Sequence, residues 1–228
     1  YQDFSDKQVS SQRLDPATGL LFAAPVNAAS AEIYGLELDA SWQITEGLEI
    51  YAQYTYLDSE YEDYKQLSKG PAPIADAGNC TVVPPTPPET DTFCEIDLSG
   101  RDLEYVPEHS LLAGVEYRQQ FGSSMEWFAG MNYIYQDERY TSSFNIVSFD
   151  SYSLFDFRAG VGGENWEVQG YVDNAFDDDT IKSSFGNTYN QGLRVAAPPF
   201  TFVLPLNQTP ILPDGREVGV RARYRFGT

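Results

Sequence analysis

From Arg216 to Phe226 the chain alternates without a break. Val218, Val220, Ala222, Tyr224 and Phe226 fall on one side, and Glu217, Gly219, Arg221, Arg223 and Arg225 on the other. Successive side chains of a strand point to opposite faces, so the segment reads as a strand between an apolar and a polar medium. The pattern recurs upstream. Leu36, Leu38, Ala40, Trp42 and Ile44 oppose Gly35, Glu37, Asp39, Ser41 and Gln43; Leu48, Ile50, Ala52, Tyr54 and Tyr56 oppose Glu49, Tyr51, Gln53 and Thr55. Leu111 to Tyr117, Trp127 to Tyr135, Phe155 to Val161 and Trp166 to Val172 continue it, with Glu116, Arg118, Asp156 and Arg158 on the polar side. Weaker strands near 1–13 and in the 20s, the latter running into the 34–44 strand, bring the count to eight.

The connections alternate as well. Short turns fall at 45–47, 121–124 and 162–165, while long segments fall at about 62–105, 140–150 and 175–215. An antiparallel meander puts the short turns at one end and the long loops at the other, as transmembrane barrels do. The three tryptophans test this separately. Trp42, Trp127 and Trp166 each lie close to a short turn on the apolar side, and Phe121, Tyr224 and Phe226 join them; Tyr54, Tyr56, Tyr133, Tyr135 and Tyr152 lie at the other level. Two aromatic belts around an aliphatic middle suit a bilayer, because amphipathic rings settle at the headgroup level. The expected fold is all-β: an antiparallel up-and-down transmembrane β-barrel segment of about eight strands, with short periplasmic turns and long extracellular loops.

Composition narrows the partners. The longest apolar run, Leu20 to Val26, is seven residues, against the ~20 a spanning helix needs. With 34 acidic and 14 basic residues the chain carries a formal charge of −20, which argues against nucleic acid, since phosphate binding needs a basic face. Cys80 and Cys94 flank a proline-rich stretch without strand periodicity. A disulfide there closes a loop of about 15 residues, worth roughly 3 kcal/mol in the chain-entropy model, and implies an oxidising compartment. Two cysteines without clustered histidines make a poor metal site.

Three segments, Asn27 to Trp42, Tyr171 to Asp178 and Gly219 to Phe226, together resemble barrel strands of TonB-dependent outer-membrane receptors. Asn27 to Trp42, with its Asn-Ala start and central Gly35-Leu-Glu37, is similar to one barrel strand of that family. Tyr171-Val-Asp-Asn-Ala-Phe-Asp-Asp178 is similar to its penultimate Asn-Leu-Phe-Asp strand, and Gly219 to Phe226 to its closing strand. The resemblance implies that 1–228 is the C-terminal part of a barrel of about 22 strands, with the plug and a TonB box upstream. It implies the bacterial outer membrane as location, and active import as function. The implied substrate is a small molecule: an iron chelate such as a siderophore, a cobalamin-like compound or an oligosaccharide. The implied partners are outer-membrane lipid, the remainder of the receptor, and the inner-membrane TonB complex reached through upstream residues.

Candidate chemistry is sparse. His109 stands alone and reads as structural, and Asp177-Asp-Asp179 reads as a solvated turn, so no catalytic residue, metal site or cofactor is assigned. The acidic and basic residues of the polar face, Glu37 to Arg225, would line the wall against a plug. The outer loops are the expected ligand surface, through Tyr61, Tyr64, Tyr140, Phe144, Phe149, Asn187, Tyr189, Asn190 and Arg194, because aromatics, amides and an arginine can stack on rings and bond their rims. Two rivals remain: a self-contained eight-stranded outer-membrane barrel acting as adhesin or lipid-modifying enzyme, and a soluble β-sandwich binding module. Against the first, Gly35, Gly114 and Gly130 beside charged residues suit a wide, wet wall better than a packed interior.

Overall fold

Alternation becomes strand at every expected place. The computed structural model describes residues 1–14, 21–69, 80–83, 93–186, 194–197, 200–203 and 208–226, with side chains at 1–5, 7–8, 30–66, 80–82, 94–184 and 209–226. Eight strands form the wall: β1 (Gln2–Leu14), β2 (Leu21–Gln43), β3 (Leu48–Lys69), β4 (His109–Phe121), β5 (Met125–Gln136), β6 (Tyr152–Gly163), β7 (Trp166–Asp173) and β8 (Glu217–Tyr224). They pair in sequence order, each antiparallel to the next. β1 and β8 therefore lie at opposite edges of an open sheet, whereas a self-contained eight-stranded barrel would join them.

From β2 to β8 the register aligns the apolar positions of the alternating pattern on one face. Trp42 opposes Ile50, Ile50 opposes Val115, Val115 opposes Met131, Met131 opposes Phe157, Phe157 opposes Val172, and Val172 opposes Val218. A one-residue slip anywhere would turn a whole strand over. This face is uncovered: Leu38 is 54% exposed and Val220 76%. So large a continuous apolar surface is stable only against another apolar medium, which for a sheet of this kind is lipid. Tyr117 packs on Trp127 and Tyr224 on Phe226 at the short-turn end, and Tyr133 on Phe155 at the other. Tyr152 departs from its expected place in the outer belt. It pairs with Gln136 on the polar face, one residue out of step with Phe155, and its hydroxyl donates to Gln136 Oε1 at 2.6 Å.

The polar face is bonded laterally. Ser41 donates to Glu49 at 2.8 Å, Gln53 Nε2 to Asp39 at 3.0 Å, and Tyr51 Oη to Asn132 at 2.6 Å. Glu116 accepts from both Arg118 and Arg158, and Arg118 reaches Glu126 at 3.0 Å. The glycines on this face have a more specific use than making the wall wide. A Cβ on Gly114 would lie 2.3 Å from the Tyr51 ring, and one on Gly219 would lie 2.4 Å from the Tyr171 hydroxyl. Each glycine thus lets an aromatic ring from the neighbouring strand lie flat on the sheet.

β2 and β3 run 23 and 22 residues, about twice the 9–11 that cross a bilayer, so their upper halves stand clear of it. There the chain builds the buried cluster that the wall itself lacks. Ala31, Tyr61, Tyr64, Cys94, Ile96, Leu98, Leu103 and Phe144 pack together. Phe93–Asp97 adds to the β3 edge over 65–69, and Cys80–Val83 adds to Phe93–Asp97. Cys80 and Cys94 are joined in a disulfide, as their placement suggested. Because Cys94 Sγ belongs to the cluster, Cys94→Ser removes both the cross-link and a buried contact. The expected loss is up to about 3 kcal/mol, confined to the loop. Limited proteolysis should show cleavage within 80–106 while the wall stays intact.

Candidate functional site

The extracellular surface is made by loops that fold against one another. Arg101 Nη1 donates to the Phe144 carbonyl at 2.5 Å, Asn145 Nδ2 to the Asp102 carbonyl at 3.1 Å, and the Tyr105 amide to the Tyr140 carbonyl at 2.9 Å. Tyr105 and Asn145 take φ of 63° and 47°, a left-handed backbone that costs roughly 1–3 kcal/mol for a residue such as Tyr and persists only where its surroundings hold it. Arg139 donates through Nη2 to the Lys182 carbonyl, while its guanidinium lies 5.2 Å from the Phe149 ring centre. The 93–106 and 139–150 segments are thereby locked to each other and to the start of the last loop.

This packing sorts the expected ligand residues. Tyr61, Tyr64, Phe144 and Phe149 are turned inward, exposed by only 0%, 2%, 6% and 4%. Tyr61 donates to Glu104 Oε2 at 2.6 Å and receives Lys7 Nζ at 3.3 Å, so burial and then the Glu104 bond push its hydroxyl pKa up. Tyr140 is half-buried and lines a cleft of about 470 Å³ at the outer rim. Asn187, Tyr189 and Asn190 lie outside the described residues, and Arg194 is described only as backbone, in the strand Arg194–Ala197.

The cleft beside Tyr140 is acidic, which the sequence reading did not single out. Asp58, Asp102, Glu108, Asp137, Glu138 and Asp150 line it, with Arg139 the single cation among its lining residues. They come from three separate stretches that only the fold brings together. Burial, then Asp58 and Glu108, raise the Asp102 carboxyl above its ordinary range. A carboxyl raised on folding contributes stability below its unfolded pKa and loses it as pH rises through the folded value. Asp102→Asn is therefore expected to stabilise the loops at neutral pH and to change little near pH ~3. Protease resistance of the loops at the two pH values checks the sign. Asp97 is held low instead, by the Ser99 hydroxyl and amide.

His109 faces outward at the top of β4. Its Nδ1 lies 2.9 Å from Tyr54 Oη and its ring packs on Tyr54 and Tyr56, so it is part of the outer aromatic belt. Glu108, His109 and Asp137 bring one donor atom each within 4.8 Å of one another. Asp177 and Asp178 are taken up by the chain: Asp177 Oδ1 accepts the Arg216 amide at 2.8 Å, and Asp178 Oδ1 the Thr180 amide at 3.1 Å. Between β7 and that turn stands Asn174 of the Asn-Ala-Phe-Asp segment, 7% exposed and at φ 49°. It donates to the Asp178 and Asp214 carbonyls and its amide reaches Asp156. The segment is a clasp tying the outer ends of β6, β7 and β8.

An open antiparallel wall with a lipid-facing apolar side, a charged inner side and a folded outer rim defines part of an outer-membrane β-barrel. A family model described as "TonB dependent receptor-like, beta-barrel" matches residues 1–175, and the chain belongs to that family, whose members are receptors for uptake and not enzymes. Solved structures agree on the fold. The ferric yersiniabactin uptake receptor FyuA of Yersinia pestis matches with a TM-score of 0.62 at 17% identity, over 90% of this chain and 25% of that one. The siderophore receptor PiuA of Acinetobacter baumannii gives 0.59 at 20% identity, over 96% and 24%. The ferric preacinetobactin receptor BauA of the same species gives 0.55 at 16%, over 95% and 26%. The chain thus spans about a quarter of the length of the receptors it matches.

Proposed function

We propose that residues 1–228 are the C-terminal barrel part of a receptor that imports a scarce, bulky nutrient across a bacterial outer membrane. The observation that carries this reading is the open sheet. β8 pairs only with β7, and the 34–43 stretch of β2 pairs only with β3 among the described residues. Further strands outside this segment complete the wall. A plug fills the lumen, and the inner-membrane TonB complex supplies the energy through residues upstream. Iron chelates are the favoured substrate class, since the three similar receptors are each described as siderophore or ferric-chelate receptors.

Tyr140 and the acidic cleft, with Asn187, Tyr189, Asn190 and Arg194, form the ligand-facing surface in this reading. Tyr61, Tyr64, Phe144 and Phe149 act one layer below, as the floor that holds those loops in place. The test is growth of a strain lacking the whole receptor gene, supplied in turn with ferric chelates, cobalamin or oligosaccharides as the limiting nutrient. Loss of growth on one ferric chelate, restored by the full gene, supports the reading. Normal growth on every chelate, with loss on a sugar or cobalamin, moves the substrate class; no nutrient phenotype at all contradicts import.

A further inference from the structure

Glu108, His109 and Asp137 meet where β4 begins and β5 ends, and both carboxylates line the acidic cleft. One donor atom from each lies within 4.8 Å of the other two. The backbone fixes this spacing. The Asp137 amide donates to the His109 carbonyl at 2.9 Å, and the Leu57 amide to the Glu108 carbonyl at 2.9 Å. The His109 ring is held against Tyr54 and Tyr56, with centres 6.0 and 5.3 Å away, and its Nδ1 lies 2.9 Å from Tyr54 Oη. With the Nδ1 proton donated to Tyr54, Nε2 turns a lone pair toward Glu108 Oε1, 3.7 Å away. Asp137 Oδ1 accepts the Glu138 amide at 2.9 Å and the Tyr135 hydroxyl at 3.3 Å. Among the described residues neither carboxylate pairs with a lysine or arginine. Arg139, two residues on, is engaged by the Lys182 carbonyl and the Phe149 ring.

A gap of 3.7 Å is too wide for a hydrogen bond, but two ligands about 2.1 Å from one ion stand about 3.4 Å apart in a tetrahedron. A metal-bound imidazole ordinarily donates its other N–H to a fixed acceptor, which Tyr54 supplies here. Hydrogen bonds hold a coordinating carboxylate in the same way, as Tyr135 and Glu138 hold Asp137. Glu108 is the exposed arm, its side chain 61% accessible, and its rotation closes the remaining distance. We propose that Glu108, His109 and Asp137 bind one divalent transition cation of the zinc class, through His109 Nε2 and one oxygen of each carboxylate, with water in the fourth position. An imidazole among the donors selects such an ion over calcium or magnesium, which prefer oxygen alone. Asp58, Asp102, Glu138 and Asp150 add a negative field that concentrates cations and that a bound ion relieves. The ion ties the outer end of β4 to the start of the 139–150 loop. The site is independent of which nutrient the receptor takes.

The test uses the full-length receptor, purified in detergent, stripped with a chelator and titrated with zinc alone. Each variant is compared with the parent, so that zinc bound elsewhere in the protein cancels. Glu108→Gln and His109→Gln are each expected to weaken one equivalent of zinc about tenfold or more. Glu108 is exposed, so its variant decides the matter should His109→Gln fail to fold. Tyr54→Phe keeps the ring and all three ligands, and is expected to weaken the same equivalent about tenfold, which plain attraction to an acidic surface would not do. Adding zinc should slow hydrogen exchange across 137–150 in the parent and leave it unchanged in Glu108→Gln. Zinc binding at parental affinity in either Glu108→Gln or His109→Gln overturns the proposal. Displacement of this equivalent by equimolar calcium also overturns it, because the ion would then only screen the carboxylates of the cleft.

Discussion

Val220→Arg is expected to cost about 2–4 kcal/mol and to deplete the receptor from the membrane, although Val220 touches almost nothing in the chain. At 76% exposure it opposes only Gly170, and β8 has no further neighbour on its other side among the described residues. In water such a position tolerates most substitutions within about 0.5 kcal/mol. In the middle of a bilayer the same guanidinium must leave water or drag water with it. The size of the effect therefore reports the medium. Arg221→Ser, one residue along and on the opposite face, is the paired control. It should leave insertion near normal, because inner-face substitutions of a barrel change what the lumen accepts rather than whether it forms. Urea midpoints of the two variants in lipid vesicles measure the difference. Equal, small effects at 220 and 221 would place β8 in water on both sides.

Tyr61→Ala is expected to cost about 3–5 kcal/mol, the range for removing a large buried aromatic, and to do so in the loops alone. The ring is fully buried in one cluster with Leu98, Leu103 and Phe144, lies tilted against Tyr64 with ring centres 4.8 Å apart, and carries the bond to Glu104. Its removal leaves Glu104 without that partner and opens a void where the 93–106 segment rests. The wall has no such dependence, since its strands are held by their own ladder and by lipid. Hydrogen exchange should therefore quicken across 94–104 and 141–146 and stay unchanged across β4 to β8. Tyr61→Phe separates the two contributions. The ring stays and only the Glu104 bond goes, for roughly 1–3 kcal/mol. Unaltered protection of the loops in Tyr61→Ala would refute the claim that they share one core.

The wall was legible because alternation is a local signal. Val218 and Arg221 announce opposite media from their own neighbours, and Trp42, Trp127 and Trp166 give the level of the bilayer from their distance to a turn. The same signal misleads where the strand leaves the membrane. Tyr54 and Tyr61 belong to one strand, yet the first meets the outer belt and the second the loop core. The register shift beside Ser30 and Ala31, which sets Tyr61 and Tyr64 on the same side, has no signature in either strand alone. Tyr152 differs for a simpler reason: it lies at the level of the outer belt, but its parity along β6 turns it to the polar face. The acidic cleft could not be read at all, because Asp58, Asp102 and Asp137 are brought together by hydrogen bonds between loops distant in sequence. The Asn174 clasp lies between these cases. Its residues form a recognisable segment, but the Asp214 carbonyl that it bonds comes from the far side of a long loop.

Single cysteines along β8 decide whether this sheet stands between lipid and a polar lumen. Placed one at a time from 217 to 224 in the full receptor and spin-labelled in membranes, they report contact with dissolved oxygen or with a water-soluble relaxer. A strict period of two is expected: oxygen contact at Val218, Val220 and Ala222, and water or protein contact at Gly219, Arg221 and Arg223. Uniform access to the water-soluble agent along the strand would contradict it.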